Sequence, residues 1–225
     1  SKLLITTISG KIYIYDELHS KKILIDKTLN GKKPRFLNFI NGILVMSESD
    51  GLFYIKNNEN YDVIDCGLKT LDGEVLTDGY MTSYKGRVWI AKDATIYYSA
   101  LGTYNDFTTA NDAGYINEFY TDTGSITALK PYKDYLAVYK KNSVYLLSGT
   151  SPDDFAITLF ANKGAVSQNS IINVENKQYF LSNGIFALEQ VGELNQIQLG
   201  SEISLKIKEE FSKFTELEKA FALHY

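Results

Sequence analysis

A single cysteine, Cys66, stands in 225 residues, which excludes an intrachain disulfide and any thiolate metal cluster. The two histidines, His19 and His224, lie at opposite ends of the sequence with no partner at ligand spacing, so no zinc or iron centre is expected. Neither histidine has an evident acidic orienter and no Gly-x-Ser-x-Gly segment is present, which leaves no basis for a nucleophilic triad. Strings that cradle phosphate, Gly-x-Gly-x-x-Gly or Gly-Lys-Ser/Thr, are missing too. No apolar run approaches the roughly 20 residues of a membrane helix, so no membrane span is expected. Ser1-Lys2-Leu3-Leu4-Ile5-Thr6 lacks the long apolar core and cleavage site of a signal peptide. Such a chain is consistent with synthesis in a reducing cytoplasm. Positive charge is scarce as well: 23 Lys and Arg face 27 Asp and Glu, a net charge of -4. A phosphate backbone needs a positive field, so nucleic acid is not expected as a direct partner. The pairs Lys21-Lys22, Lys32-Lys33 and Lys140-Lys141 read as solvated turns.

What the chain has in quantity is aromatic residues, 17 Tyr and 12 Phe, and these favour pleated, half-buried strands. They fall into a repeat. Phe36–Ile40, a turn at Asn41-Gly42, Ile43–Met46, a turn through Ser47–Gly51 and Leu52–Ile55 read as strand, turn, strand, turn, strand. The unit returns as Met81–Tyr84, Lys85-Gly86, Arg87–Ala91 and Thr95–Tyr98. It returns again as Ile126–Leu129, Lys133-Asp134, Tyr135–Tyr139 and Ser143–Leu147, and then as Ile171–Val174, Asn176-Lys177, Gln178–Leu181 and Gly184–Leu188. The turn positions 42, 86, 134 and 177 are 44, 48 and 43 apart, the period of a four-stranded propeller blade. Weaker fourth strands follow at Tyr61–Ile64, Gly114–Asn117, Phe155–Leu159 and Gln196–Leu199, as expected of outer edges.

At the N-terminus, Leu3–Thr7, Ser9-Gly10, Lys11–Tyr15 and Lys22–Ile25 supply the second, third and fourth strands of a unit without its first. At the other end, Lys219–Tyr225 reads as a first strand with nothing after it. The expected fold is therefore an all-β propeller in one domain, 1–225, with five four-stranded blades closed by the C-terminal strand. A piece of a larger propeller with six to eight blades is the alternative. One segment breaks the β pattern: Ile203, Ile207, Phe211 and Phe214 share a helical stripe after a Ser201 N-cap. An inserted amphipathic helix near 202–214, packed on the propeller rim, is expected there.

The chemistry that such a fold could carry is sparse. Ser47–Gly51 has acidic residues in a turn but lacks the ligand spacing of a calcium loop. Glycosidases on five-bladed propellers need two convergent carboxylates. The expected first strands carry Asn38, Thr82, Thr127, Asn173 and His224 instead, and Glu48, Asp78 and Asp122 lie in loops. No catalytic, cofactor-binding or metal residue is therefore assigned. Ser148–Asp154 and Thr121–Ser125 read as turns. Tyr104, Tyr115, Tyr120, Tyr132 and Tyr225 fall in or near loops and are the candidate contact residues, because tyrosine combines a large apolar face with a hydroxyl.

The run Ile96-Tyr97-Tyr98-Ser99-Ala100-Leu101-Gly102-Thr103-Tyr104-Asn105-Asp106-Phe107-Thr108-Thr109, followed by Gly114-Tyr115-Ile116, resembles a pattern in virion proteins of tailed bacteriophages. Ile126–Gly149 with Lys163–Ser167, and Tyr179–Leu188 ahead of the helical segment, are similar to the same family, so the resemblance spans about residues 80–225. Members are tail or neck components such as the nozzle and hub proteins of short tails, and they often extend further than this chain. The resemblance implies a non-enzymatic propeller in a virion, made in the bacterial host cytoplasm, with neighbouring tail or neck proteins as partners in a symmetric multi-copy assembly. A carbohydrate- or receptor-binding propeller that takes a cell-surface glycan is the alternative, and a glycoside hydrolase is a further one.

Overall fold

The computed structural model describes residues 2–31, 34–119, 122–192 and 196–224. These residues form two compact units, Ser1–Ile90 with Tyr97–Tyr115 and Ala91–Ile96 with Ile116–Tyr225. Five antiparallel sheets carry nearly all the regular structure. The first has three strands in order: β1 (Lys2–Thr6), β2 (Lys11–Asp16) and β3 (Lys21–Thr28). The second is β4 (Arg35–Phe39), β5 (Gly42–Ser47), β6 (Gly51–Lys56) and β7 (Val63–Asp65). The third is β8 (Tyr80–Tyr84), β9 (Arg87–Lys92), β10 (Thr95–Tyr98) and β11 (Gly114–Ile116). The fourth is β12 (Ala128–Tyr132), β13 (Tyr135–Tyr139), β14 (Val144–Ser148) and β15 (Ala156–Ala161). The fifth is β16 (Ile171–Val174), β17 (Lys177–Leu181), β18 (Ile185–Val191) and β19 (Gln196–Leu199). Each is a meander of neighbouring strands, the blade topology expected from the repeat.

The continuous apolar runs of the central strands have a direct cause in packing. On the second sheet Val45, Phe53 and Ile55 point to one face and meet Ile12, Ile14 and Ile25 of the first sheet. Leu44, Met46, Leu52 and Tyr54 point to the other face and meet Met81, Val88, Ile90 and Tyr97. Since neighbouring side chains alternate faces, a sheet buried on both sides needs an apolar residue at every position. Within the second unit, Ala137, Tyr139, Val144 and Leu146 pack in the same way on Phe180, Phe186 and Leu188. Each such side chain contributes roughly 1.5–3 kcal/mol by leaving water.

The hairpin turns differ from expectation at two of four places. Phe39 pairs with Gly42 and Val174 with Lys177, so the turns are Ile40-Asn41 and Glu175-Asn176, one residue earlier than the Asn-Gly and Asn-Lys signals suggested. Ile40, Lys85, Lys133 and Glu175 each open their turn at a left-handed φ of 50°, 48°, 54° and 52°. Gly42 is needed for another reason. A Cβ there would overlap the Tyr54 ring, whose hydroxyl donates to the Phe39 carbonyl at 3.3 Å. By contrast, Gly51 does close its turn at φ 70°, as Asp-Gly predicted. The strand expected at Ile126–Leu129 begins later and takes in Lys130-Pro131-Tyr132; proline is tolerated because β12 is an edge strand.

Two larger expectations are corrected. The closing strand over Lys219–Tyr225 is not formed: Leu217–Lys219 is a 3-10 turn, the residues up to His224 make no strand, and Tyr225 lies outside the described residues. Among the described residues the first sheet therefore has three strands, not four. Nor does 202–214 form one amphipathic helix. Ile203–Ile207 is a 3-10 turn that runs into a single α turn, α1 (Lys208–Phe211), and Glu202 rather than Ser201 precedes it, without a side-chain cap. A helix this short is not self-supporting in water. Its apolar stripe is not packed on a rim either, since Ile203, Ile207 and Phe214 are more than half exposed.

Candidate functional site

The loop between β10 and β11 holds the motif on which the resemblance rests, and its side chains are spent on its own architecture. Ser99 accepts the Val88 N–H at 2.9 Å and donates to the carbonyls of Ala100 and Thr103. Gly102, at φ 71°, gives its N–H to the Gly86 carbonyl. The Asp106 carboxylate takes the N–H groups of Thr108 and Thr109, both at 3.0 Å, together with their hydroxyls. Those bonds, the Thr109 hydroxyl first, hold its carboxyl below the usual carboxylate range. Phe107 is buried in the core, and Tyr104 stacks on Tyr54 with ring centroids 4.0 Å apart. Beneath the loop lies Arg87, 2% exposed, whose guanidinium reaches the Ser99 carbonyl at 2.8 Å, the Asp112 carbonyl at 2.5 Å and the Asp112 carboxylate at 2.7 Å. The motif thus builds a rigid loop on a propeller blade.

The second unit repeats the device with other residues. Asp154 takes the N–H groups of Thr150 and Ser151 at 2.8 and 2.7 Å, which shapes the turn expected at Ser148–Asp154. Lys140, read from the sequence as solvated, is 2% exposed, and its ammonium donates to the carbonyls of Phe119 and Asp122. Tyr139, fully buried, donates to Gln178 Oε1 at 2.7 Å, while Gln178 Nε2 bonds the Pro131 carbonyl and Asn173. Burial drives the Tyr139 hydroxyl far above its ordinary pKa.

The loop carboxylates considered for hydrolysis are not assembled into a catalytic pair by any bond described. Asp122 accepts from the Asn142 N–H and the Ser143 hydroxyl, and Glu48 and Asp78 are exposed in separate loops. Among the first-strand positions, Thr82 is buried and Thr127 donates to the Ala165 carbonyl. Asn38 and Asn173 are exposed, and His224 belongs to no strand. The expectation that neither histidine has an acidic orienter is corrected at His19, whose Nδ1 lies 2.8 Å from Asp16. That hydrogen bond lowers the Asp16 pKa, but the pair sits in an exposed turn with no nucleophile bonded to it. Burial pushes the Cys66 thiol up to about 12, far from a reactive thiolate. In the Ser47–Gly51 turn Asp50 receives the N–H groups of Asn30 and Gly31, so this acid staples two loops. Among the described residues no three His, Cys, Asp or Glu side chains gather as metal ligands, and no helix is long and apolar enough to cross a membrane.

Of the candidate contact tyrosines, Tyr132 is buried with its hydroxyl on the Asn176 carbonyl and Tyr104 is stacked in the core, so both are structural. Tyr115 is exposed. Tyr120, Tyr225 and the Lys32-Lys33 pair lie outside the described residues. Lys21 and Lys22 are solvated, and Lys22 also covers the Tyr13 ring at 3.9 Å.

Two exposed apolar surfaces remain. In the first unit, the register Leu3↔Tyr15 and Ile5↔Tyr13↔Leu24 puts these five side chains on one face of the first sheet, opposite the face buried on the second. Leu3 and Leu24 are 55% and 56% exposed. In the second unit, Phe211, Phe214 and Phe221 join Tyr179, Phe180 and Ile185 around an open cavity of about 640 Å³. The sequence held a signal for the first surface, the alternating Leu3, Ile5, Tyr13 and Tyr15, but nothing in it says that one face stays uncovered.

No protein-family model matches this sequence, and no curated protein matches it. Solved structures do. Hsv2 of Kluyveromyces lactis superposes with a TM-score of 0.56 at 12% identity over 86% of this chain and 60% of its own. BamB from Moraxella catarrhalis gives 0.51 at 11% identity over 89% and 61%. The computationally designed Ika8 protein gives 0.52 at 12% identity over 89% and 59%. The fold that these likenesses and the sheet topology define is an all-β propeller. The chain spans about 60% of the length of the structures it matches.

Proposed function

We propose that this β-propeller is a structural component of a phage or prophage virion that docks into a tail or neck assembly. The observation that carries the reading is the uncovered face of the first sheet, where Leu3, Ile5, Tyr13, Tyr15 and Leu24 stand together. Contiguous apolar faces of this kind mark protein interaction sites, and tyrosine is favoured at them. The rigid Ser99–Thr109 loop, which resembles tailed-phage virion proteins, supports the same reading, as does the commitment of the loop acids Asp106, Asp122 and Asp154 to structural hydrogen bonds. The first sheet's opposite face, packed on the second sheet through Ile12, Ile14 and Ile25, holds this surface in position for the repeated contacts of a symmetric assembly.

Mass spectrometry of gradient-purified particles from the encoding strain, with an electron-microscopy map of those particles, tests the proposal. The chain is expected at fixed stoichiometry, with density in the tail or neck. Particles without the chain would overturn the virion reading. A Leu3→Glu/Leu24→Glu variant should fold and fail to join the particle, because two carboxylates would have to be desolvated at the interface.

A further inference from the structure

Three Asn-Gly steps stand in the sequence, at Asn30-Gly31, Asn41-Gly42 and Asn183-Gly184. Such a step can close on itself, because glycine puts no side chain between its amide nitrogen and the asparagine carboxamide. Closure needs a glycine N–H that is not already spent, a carboxamide nitrogen able to leave, and support for the oxyanion that forms on Oδ1. The fold treats the three steps differently.

At Asn30-Gly31 the Asp50 carboxylate holds both reacting groups. It accepts the Gly31 N–H and the Asn30 Nδ2, each at 3.0 Å. At Asn41-Gly42 the glycine belongs to β5 and lies opposite Phe39 across a two-residue turn, a register that directs its N–H to the Phe39 carbonyl. The Asn41 Oδ1 is taken by Asn57 Nδ2 at 3.3 Å, with no cation on it.

The Asn183-Gly184 step, in the loop between β17 and β18, is open. The Ser182 N–H bonds the Gly184 carbonyl at 2.8 Å and the Ile185 N–H bonds the Ser204 hydroxyl at 3.0 Å, which fixes the loop on either side. Between them, neither the Gly184 N–H nor the Asn183 Nδ2 has a hydrogen-bond partner among the described residues. The Glu202 carboxylate and the Ser204 hydroxyl occupy the place a Cβ would take on Gly184, so the position admits glycine alone. Asn183 is exposed, and its Oδ1 accepts from Lys163 Nζ at 3.1 Å. That ammonium is also held over the Phe186 ring, 5.1 Å from its centroid.

We propose that Asn183-Gly184 is a self-modification site, where the chain turns its own asparagine into aspartate and isoaspartate with Lys163 holding the oxyanion. The Gly184 nitrogen attacks Asn183 Cγ, the N–Cγ bond forms, and Oδ1 takes the electron pair beside the Lys163 ammonium. The carbonyl re-forms as the Cγ–Nδ2 bond breaks, and Nδ2 leaves as ammonia with the proton of the Gly184 nitrogen. Water then opens the succinimide. Attack at Cγ restores the ordinary backbone and leaves a side-chain carboxylate. Attack at the Asn183 backbone carbonyl leaves the chain running through the side chain. Either product sets a new negative charge near Lys163, where the parent has a neutral carboxamide.

Peptide mapping by mass spectrometry on the whole native chain, incubated in mildly alkaline buffer, tests the proposal, with isoaspartate separated from aspartate by retention. Conversion at position 183 is expected roughly tenfold or more ahead of positions 30 and 41. In concentrated urea the three rates should converge, because the difference belongs to the fold. Lys163→Met should slow conversion at 183 by about tenfold, while Lys163→Arg should keep most of it. Should the methionine variant misfold, the ranking of the three sites in the native parent decides alone. No conversion at 183, conversion at 30 or 41 as fast as at 183, or a folded Lys163→Met variant that converts as fast as the parent each overturns the proposal.

Discussion

Arg87 and Asp112, 25 positions apart, meet as an ion pair of 2.7 Å that ties strand β9 to the loop before β11. The guanidinium is almost wholly buried while the Asp112 side chain is 38% exposed. Removing the acid by Asp112→Ala leaves a buried cation without its carboxylate. A fully buried pair broken in this way loses about 3–5 kcal/mol. Solvent at Asp112 reduces that, and a loss of about 2–3 kcal/mol is expected from urea unfolding. The double variant Arg87→Met/Asp112→Ala should recover part of the loss, because no charge is then left buried at that position.

Gly51 and Gly42 separate two uses of glycine. Gly51 has φ 70° and nothing within 4 Å of where a Cβ would stand, so Gly51→Val should cost only the left-handed backbone penalty, about 1–2 kcal/mol. Gly51→Asn should cost less, since asparagine visits that region more readily. Gly42 lies outside the left-handed region, yet a Cβ there would run into the Tyr54 ring. Gly42→Ala is therefore expected to cost about 1–3 kcal/mol through overpacking, with loss of the Tyr54–Tyr104 stack in the aromatic circular dichroism. Equal stability of the Gly51→Val variant and the parent would contradict the turn assignment.

The Tyr139 hydroxyl donates to Gln178 Oε1 at 2.7 Å, with both residues fully buried. Tyr139→Phe takes that donor from a buried carbonyl oxygen, at a cost of about 1–3 kcal/mol. Replacing both residues by apolar ones of similar shape should cost less than the sum of the single changes, and a double-mutant cycle on thermal unfolding measures the difference.

What was legible in the sequence was whatever alternation writes into it. Ile43–Met46 and Leu52–Ile55 are apolar at every position because their sheet is buried on both faces, and the period of these runs located four complete blades. Pairing partners are not written in the same way. Ala220-Phe221-Ala222-Leu223 has the composition of a strand, yet Phe221 and Leu223 stand more than 70% exposed and no sheet edge engages them. Contacts over long separations were equally hidden. Lys140 looks like half of a solvated pair until the carbonyls of Phe119 and Asp122 close around it, and Arg87 carries no mark that Asp112 will reach it. Tyr132 read as a loop residue because the expected strand stopped at Leu129, but β12 runs on to Tyr132, and as an edge strand it admits Pro131.

Acid should loosen the loops before the sheets. Asp106 and Asp154 have carboxyls below their ordinary value of 3.8, Asp106 chiefly through the Thr109 hydroxyl and Asp154 chiefly through the Ser151 N–H. At Asp50 burial pulls upward, but the N–H of Gly31 and its neighbouring donors outweigh it and the net shift is again downward. A carboxyl with a lower pKa folded than unfolded binds fewer protons in the folded state. Its stabilisation is complete above 3.8 and is lost as pH falls through the folded value. Stability is thus expected to be insensitive to these groups at neutral pH and to decline below about pH 4. Asp106→Asn should lower the melting temperature at pH 7 by removing a charged acceptor, and should lower it less at pH 3, where the parent carboxyl is becoming protonated. Thermal melts of both proteins from pH 7 to pH 2.5 check this. Curves that stay parallel across the whole range would show that Asp106 does not titrate with folding and would remove it as the organiser of its loop.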